Sequence, residues 1–213
     1  MRRLSQIIVA IEGIDGSGKT TQAKMLVDRL KKSGYEATYV QPVFLLLNLI
    51  PLKERLKDLI SPRRARVPRI LNEKSCIIRR VFVSLLGYLY ALLTYIFMKF
   101  YLSRNKIVVC DRYFYQFFFD LFWDFSEKVV RIFPKPDITF FLDGDLDIFY
   151  SRMDSSFDAS VDRSYYTKVL DLYRKVSQKY GFIQIDANLN RDMINDAIYM
   201  HLIKAMEGEG CDE

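Results

Sequence analysis

Apolar residues recur along this chain in two rhythms. Short, near-continuous runs stand at residues 7–11, 107–110 and 138–142, each followed at once by a carboxylate: Glu12, Asp111 and Asp143. Runs of that length predict strands, and their lack of alternation predicts strands covered on both faces. Shorter strands are expected at 36–41, ended by Pro42, and at 182–186. Longer segments with apolar positions three and four apart predict helices at 20–30, 53–60, 69–103, 113–130, 145–153 and 163–179, with a last one running to about Met206. Ser33-Gly34 and Tyr180-Gly181 stop two of them, Pro134 and Pro136 break another, and Asn190 or Asp192 caps the last. Residues 61–68 read as a basic loop, 154–162 as a small polar mobile loop and 207–213 as a frayed tail. Strands alternating with helices predict one α/β domain over residues 1–213.

Composition narrows the picture. The 213 residues suit one sizeable domain, and half of them are apolar. The three cysteines, Cys76, Cys110 and Cys211, form no C-x-x-C pair, so neither a disulfide framework nor a zinc site is expected. A reducing, cytoplasmic setting fits. Met1-Arg2-Arg3 mimics the basic end of a signal peptide, but the apolar run behind it is short and meets Glu12, so it reads as a strand. The net charge of +6 is local, because residues 53–80 carry ten Lys/Arg against three acids. Such a patch attracts an anionic substrate or is simply a solvated face. No aromatic stands between Ser61 and Arg80 to stack bases, so a nucleic-acid partner is not expected.

Residues 81–98 carry no charge, and eighteen such residues reach the threshold for a membrane span. Ser84, Gly87, Thr94 and three tyrosines (Tyr88, Tyr90, Tyr95) dilute the stretch. A single crossing would also put the two flanking pieces of one nucleotide fold on opposite sides of a bilayer. The expectation is a buried helix, with one face in a dimer contact, and no membrane partner.

The chemistry centres on Gly13-Ile14-Asp15-Gly16-Ser17-Gly18-Lys19-Thr20, with Thr21 behind it. A strand, a glycine loop and a helix start turn backbone N–H groups toward one point, where the helix dipole adds positive potential. Phosphates of a nucleotide suit that cradle. Lys19 would reach the β- and γ-phosphates and Thr20 would place its hydroxyl on Mg²⁺. Four apolar residues followed by Asp111 make the pattern of a metal-binding carboxylate, with a strand-end turn residue as the plainer alternative. Asp143 has the same form, but a helix cap at Asp143 or Asp145 explains it as well. The loop, Asp111 and Asp143 all fall at carboxyl ends of strands, where parallel sheets hold ligands. His201, the only histidine, reads as a surface or packing residue. The aromatic cluster 114–125 reads as core or pocket wall, with Tyr113, Tyr115 and Gln116 expected to face a ligand.

Three further stretches carry a family resemblance: Val108-Val109-Cys110-Asp111-Arg112-Tyr113, Pro136-Asp137-Ile138-Thr139-Phe140-Phe141-Leu142-Asp143, and Ile185-Asp186-Ala187. With the glycine loop and Asp162-Arg163, the chain resembles the thymidylate kinases, P-loop nucleoside-monophosphate kinases that phosphorylate dTMP. The resemblance implies a three-layer P-loop NTPase fold: a five-stranded parallel sheet in the order 2-3-1-4-5 with helices on both faces. It implies ATP and Mg²⁺, a small nucleotide substrate, a homodimer and a lid at about residues 152–166. Gly13, Asp15, Gly16, Ser17, Gly18, Lys19, Thr20 and Thr21 would bind ATP, and Thr20 and Asp111 the metal. Asp15, Asp111, Arg112 and Tyr113 would meet the acceptor. Lys19, Arg112, Asp15, Arg163 and Arg152 would carry catalysis, the last two because Gly16 and Ser17 stand where some members carry a loop arginine.

The chain also departs from the family pattern. Val40-Gln41-Pro42 replaces the usual Arg-Glu-Pro, and Ser164-Tyr165-Tyr166 lacks a usual glutamate. Counting back from Asp111 without gaps, the base-reading arginine falls on Tyr90 and the base-stacking phenylalanine on Leu86. A tyrosine cannot give the bidentate charged bond of an arginine. These departures fall on the acceptor side and leave the phosphate loop intact, so the first expectation stays phosphoryl transfer from Mg-ATP to a nucleoside monophosphate, most naturally dTMP. Another small acceptor, or a nucleotide-dependent binding module without transfer, are the alternatives.

Overall fold

The computed structural model describes residues 7–46, 73–104, 106–122, 125–153 and 163–207. The described residues of Met1–Val40, Ser103–Arg112 and Pro136–Glu213 form one compact unit, and those of Gln41–Leu102 and Tyr113–Lys135 form another. The expected helix at 53–60, the basic loop at 61–68, the loop at 154–162 and the tail at 208–213 lie outside the described residues.

The first unit is a five-stranded parallel sheet in the order β2-β3-β1-β4-β5, as the resemblance implied. Its strands are β1 (Ile7–Glu12), β2 (Ala37–Val40), β3 (Ile107–Asp111), β4 (Ile138–Asp143) and β5 (Ile183–Asp186). β1 is buried along its whole length, as a central strand without alternation should be. Each wholly buried Ile or Val there contributes about 1.5–3 kcal/mol. Asp137 sets the β1–β4 register at its start: its carboxylate accepts from the Ile8 N–H at 2.7 Å and its own N–H donates to the Ile8 carbonyl at 2.9 Å.

Register shows why the unit has three layers. Ile11 pairs with Asp111 and Tyr39 with Val109, so Asp111 and Tyr39 project from one face of the sheet. Helix α1 (Lys19–Lys32) covers that face, together with α8 (Arg191–Glu207), which packs on α1. Glu12 pairs with Phe141 and projects from the other face. There α7 (Arg163–Tyr180) brings Tyr173, stacked on Phe141 with centroids 5.5 Å apart. Helix α6 (Leu146–Ser151) follows β4. The caps resolve both open readings. Asp145 accepts from the Asp147 N–H at 2.8 Å, and Asn190 accepts from the Met193 N–H at 2.8 Å, leaving Asp192 inside the first turn of α8.

The second unit begins with α2 (Pro42–Leu45), where Pro42 starts a helix as well as ending a strand because its fixed φ suits the first helical position. Helix α3 (Glu73–Phe97) runs into a π turn at Met98–Leu102. The expected single helix at 113–130 is instead two, α4 (Tyr115–Phe122) and α5 (Ser126–Ile132). Tyr113, Phe114, Phe118 and Phe133 form its aromatic core, with the Phe118 and Phe133 centroids 4.8 Å apart.

The expectation of a buried helix at 81–98 is corrected. Only Ser84, Gly87, Ala91, Thr94 and Met98 are buried, a stripe of mostly small residues spaced three and four apart. A Cβ on Gly87 would meet Leu121 Cδ1 at 2.5 Å, so this stripe lies close against α4. The opposite stripe, Phe82, Leu86, Leu89, Leu93, Ile96 and Phe100, is 40–61% exposed. Residues 81–98 are apolar all round, but the described residues pack against one side of them only. Val81–Leu102 is long and apolar enough to cross a membrane by length and composition alone, which a helix of a water-soluble protein also satisfies.

Candidate active site

The glycine loop is shaped by what a side chain would strike. A Cβ on Gly13 would meet Ser17 Oγ at 2.6 Å and the Leu142 carbonyl at 2.9 Å. Gly16, at φ +80°, lies so close to the Phe149 carbonyl that no Cβ fits between them. Gly18, at φ +91°, turns the chain into α1, whose first turn has no side-chain cap and no acid. Its N-terminal amides are therefore available to an anion from outside the helix. Lys19 is buried, and its Nζ donates to the Ile14 carbonyl inside the same loop. Ser17 Oγ is buried with no hydrogen-bond partner among the described residues, a cost of about 1–3 kcal/mol.

Two strand ends meet this loop. Asp111, last residue of β3, accepts at Oδ2 from the Thr20 hydroxyl at 2.7 Å and from the Tyr39 hydroxyl at 2.7 Å. Arg112 takes φ +66°, rare for a residue with a side chain, while its N–H donates to the Ile11 carbonyl at 3.1 Å. That turn carries its guanidinium to Asp15, where Nη2 pairs with Oδ1. The second oxygen of Asp15 accepts from the Tyr166 hydroxyl at 3.2 Å. One residue before the loop, the buried Glu12 accepts from the Tyr173 hydroxyl at 2.7 Å. Burial, then the Glu12 charge, hold the Tyr173 phenol well above its ordinary range, so it stays a donor. The same two causes, with Asp111 third, push the Cys110 thiol up and leave it inert.

A cavity of about 250 Å³ opens beside the loop, lined by Ser17, Gly18, Thr21, Arg152, Asn190 and Arg191 among others. Arg152 donates to the Ala187 carbonyl at 3.2 Å. Arg163 pairs with Asp147 at the surface. Asp143 is a structural residue: Arg174 grips it at 3.0–3.2 Å and Gln184 at 2.7 Å.

The remaining named residues belong to the second unit. Tyr90 donates to the Val43 carbonyl at 2.9 Å, and Leu86 lies on the exposed stripe of α3. Tyr113 is 2% exposed with its hydroxyl on the Pro134 carbonyl at 2.9 Å, and Tyr115 and Gln116 are buried too. Glu12, Tyr39, Tyr166 and Tyr173 had no part in the expected site. The three-four spacing of apolar and aromatic positions along α7 is the one signal for Tyr166 and Tyr173, both buried, and it does not name their partners.

A model of the thymidylate kinase family matches residues 11–43, from the end of β1 through the loop, α1 and β2. A probable thymidylate kinase of Sulfurisphaera tokodaii is 30% identical over 84% of this chain and 86% of its own length. Another, of Pyrococcus horikoshii, is 32% identical over 81% and 80%. The chain belongs to the thymidylate kinase family. A thymidylate kinase of Ehrlichia ruminantium matches at 28% over 94% of this chain and 98% of its own. For a thymidylate kinase family member, the packing at Gly16 carries a consequence. A Cβ at Gly16 would strike the Phe149 carbonyl, so an arginine at that loop position would displace the backbone of α6.

Proposed function

We propose that this chain transfers the γ-phosphoryl group of ATP to dTMP, giving ADP and dTDP. The bond from γ-phosphorus to the bridging oxygen breaks, and one forms to a phosphate oxygen of dTMP. The observation that carries the reading is the meeting of Thr20 with Asp111 and of Arg112 with Asp15 around the Lys19 loop. The relatives' names point to the same reaction.

Phosphoryl transfer asks little covalent work of a protein, so positioning and charge dominate. The amides of residues 13–21 would hold the ATP phosphates, with Lys19 leaving the Ile14 carbonyl for them. Thr20 Oγ1 and Asp111 Oδ2 are hard oxygen donors 2.7 Å apart, a set that fits Mg²⁺ completed by phosphate oxygens and water. When bound, the ion offsets charge developing on the phosphoryl oxygens. Arg112, held by Asp15, would orient the acceptor phosphate. Arg152, beside the 250 Å³ cavity, and Arg163, at the start of α7, are assigned charge on the migrating group. Tyr90, Leu86 and Tyr113 are assigned to the acceptor side on the family's spacing. We read the chain as one domain with a lid at 152–166, cytoplasmic, and homodimeric. The exposed stripe of α3 repeats at the spacing two copies would interlock, which supports the dimer.

An ADP-release assay over the common nucleoside monophosphates tests the reading. Turnover should be highest with dTMP, and absence of turnover on all of them would remove it.

A further inference from the structure

Tyr39 has no assigned part in the reaction, yet it touches the one carboxylate that the proposed metal site needs. β2 places it there by register. It pairs with Val109, two residues before Asp111, so both side chains leave the same face of the sheet. Its hydroxyl donates to Asp111 Oδ2 at 2.7 Å, in the range of a bond to a charged acceptor. Thr20, from α1, donates to that same oxygen at 2.7 Å. One turn further along α1, Lys24 sets its ammonium 5.7 Å from the centroid of the Tyr39 ring. The ring is thus held by one helix while its hydroxyl holds a neighbouring strand.

From this geometry we infer that Tyr39 is a positioning residue for phosphoryl transfer, fixing the Asp111 carboxylate beside Thr20 so that the pair receives a divalent cation. The inference rests on the kinase reading above. A hydroxyl donor from β2 and another from α1 on one carboxylate oxygen restrict its χ2 torsion more than either donor does. Tyr39 offers a proton to Asp111 and so does not compete for the metal with an oxygen of its own. A packing role alone would need the ring and not the hydroxyl.

Tyr39→Phe separates the two, since it keeps the ring, its packing and the Lys24 contact. The probe is Mn²⁺, titrated by electron paramagnetic resonance into the full chain saturated with ADP. Tyr39→Phe should weaken Mn²⁺ about 10-fold, with ADP affinity in EDTA unchanged. Tyr39→Leu should weaken it to the same extent. Asp111→Asn should weaken it more than either. Wild-type Mn²⁺ affinity in Tyr39→Phe, alongside loss in Asp111→Asn, overturns the inference and leaves the kinase reading standing. Weakening in Tyr39→Leu alone also overturns it, because the ring would then be what matters. If the parent chain with ADP takes up no Mn²⁺, the metal site itself falls, and the inference with it.

Discussion

Arg112 reaches back across 97 residues of sequence to hold Asp15, with the carboxylate 8% exposed and the guanidinium 29%. The backbone pays for this with a left-handed φ at Arg112. A contact kept at that cost ties the end of β3 to the floor of the glycine loop.

Arg112→Ala should therefore harm both stability and turnover. It removes the cation from a nearly buried carboxylate, worth about 1.5–3 kcal/mol. The kcat/KM for dTMP should fall by roughly 100-fold or more. Denaturant unfolding and steady-state kinetics read the two effects. Parental kcat/KM in the variant would count against the acceptor role.

Lys19→Ala should abolish the thermal shift that ATP gives the parent, because the ammonium is the one loop side chain able to meet the β- and γ-phosphates. Equal ATP affinity in variant and parent, by calorimetry, would sink the phosphate-loop assignment.

Gly16→Arg, which would place an arginine in the loop, should lower Tm and leave kcat no higher. The Phe149 carbonyl occupies the space a Cβ needs, and the left-handed φ adds strain of order 1–3 kcal/mol. A faster enzyme at unchanged Tm would refute that packing.

Stability should fall on the alkaline side. Folded Cys110 and Tyr173 both hold their protons to higher pH than their ordinary values of 9.0 and 10.0. Above pH 9 the unfolded chain gives up protons that the folded chain keeps, so unfolding is favoured as pH rises. Tm measured from pH 8 to 11 should drop, and Tyr173→Phe should flatten the upper end of that drop. A flat profile in the parent would contradict it.

Leu89→Glu with Leu93→Glu, both on the exposed stripe of α3, should convert a dimer to a monomer in sedimentation velocity. A parent chain that already sediments as a monomer would refute the homodimer.

Local rules carried the sequence reading furthest where structure is local. An apolar run, three glycines and a lysine dictate β1, the loop and α1 with little help from elsewhere. Asp111 was legible for the same reason, as the polar end of an apolar strand. The stretch 81–98 misled because hydropathy reports how apolar a helix is, and not which of its stripes finds a partner. Tyr39, Tyr166 and Tyr173 stayed hidden because their partners lie 72, 151 and 161 residues away, where only the folded register brings them together.

Tyr166 and Tyr173 hang two turns apart on one face of α7, one bound to Asp15 and the other to Glu12. A single rod thus grips the peptide at two points that bracket Gly13 and Ile14. Rotating that rod by even a few degrees drags both anchors together, so this stretch cannot shift its grip independently of the helix behind it.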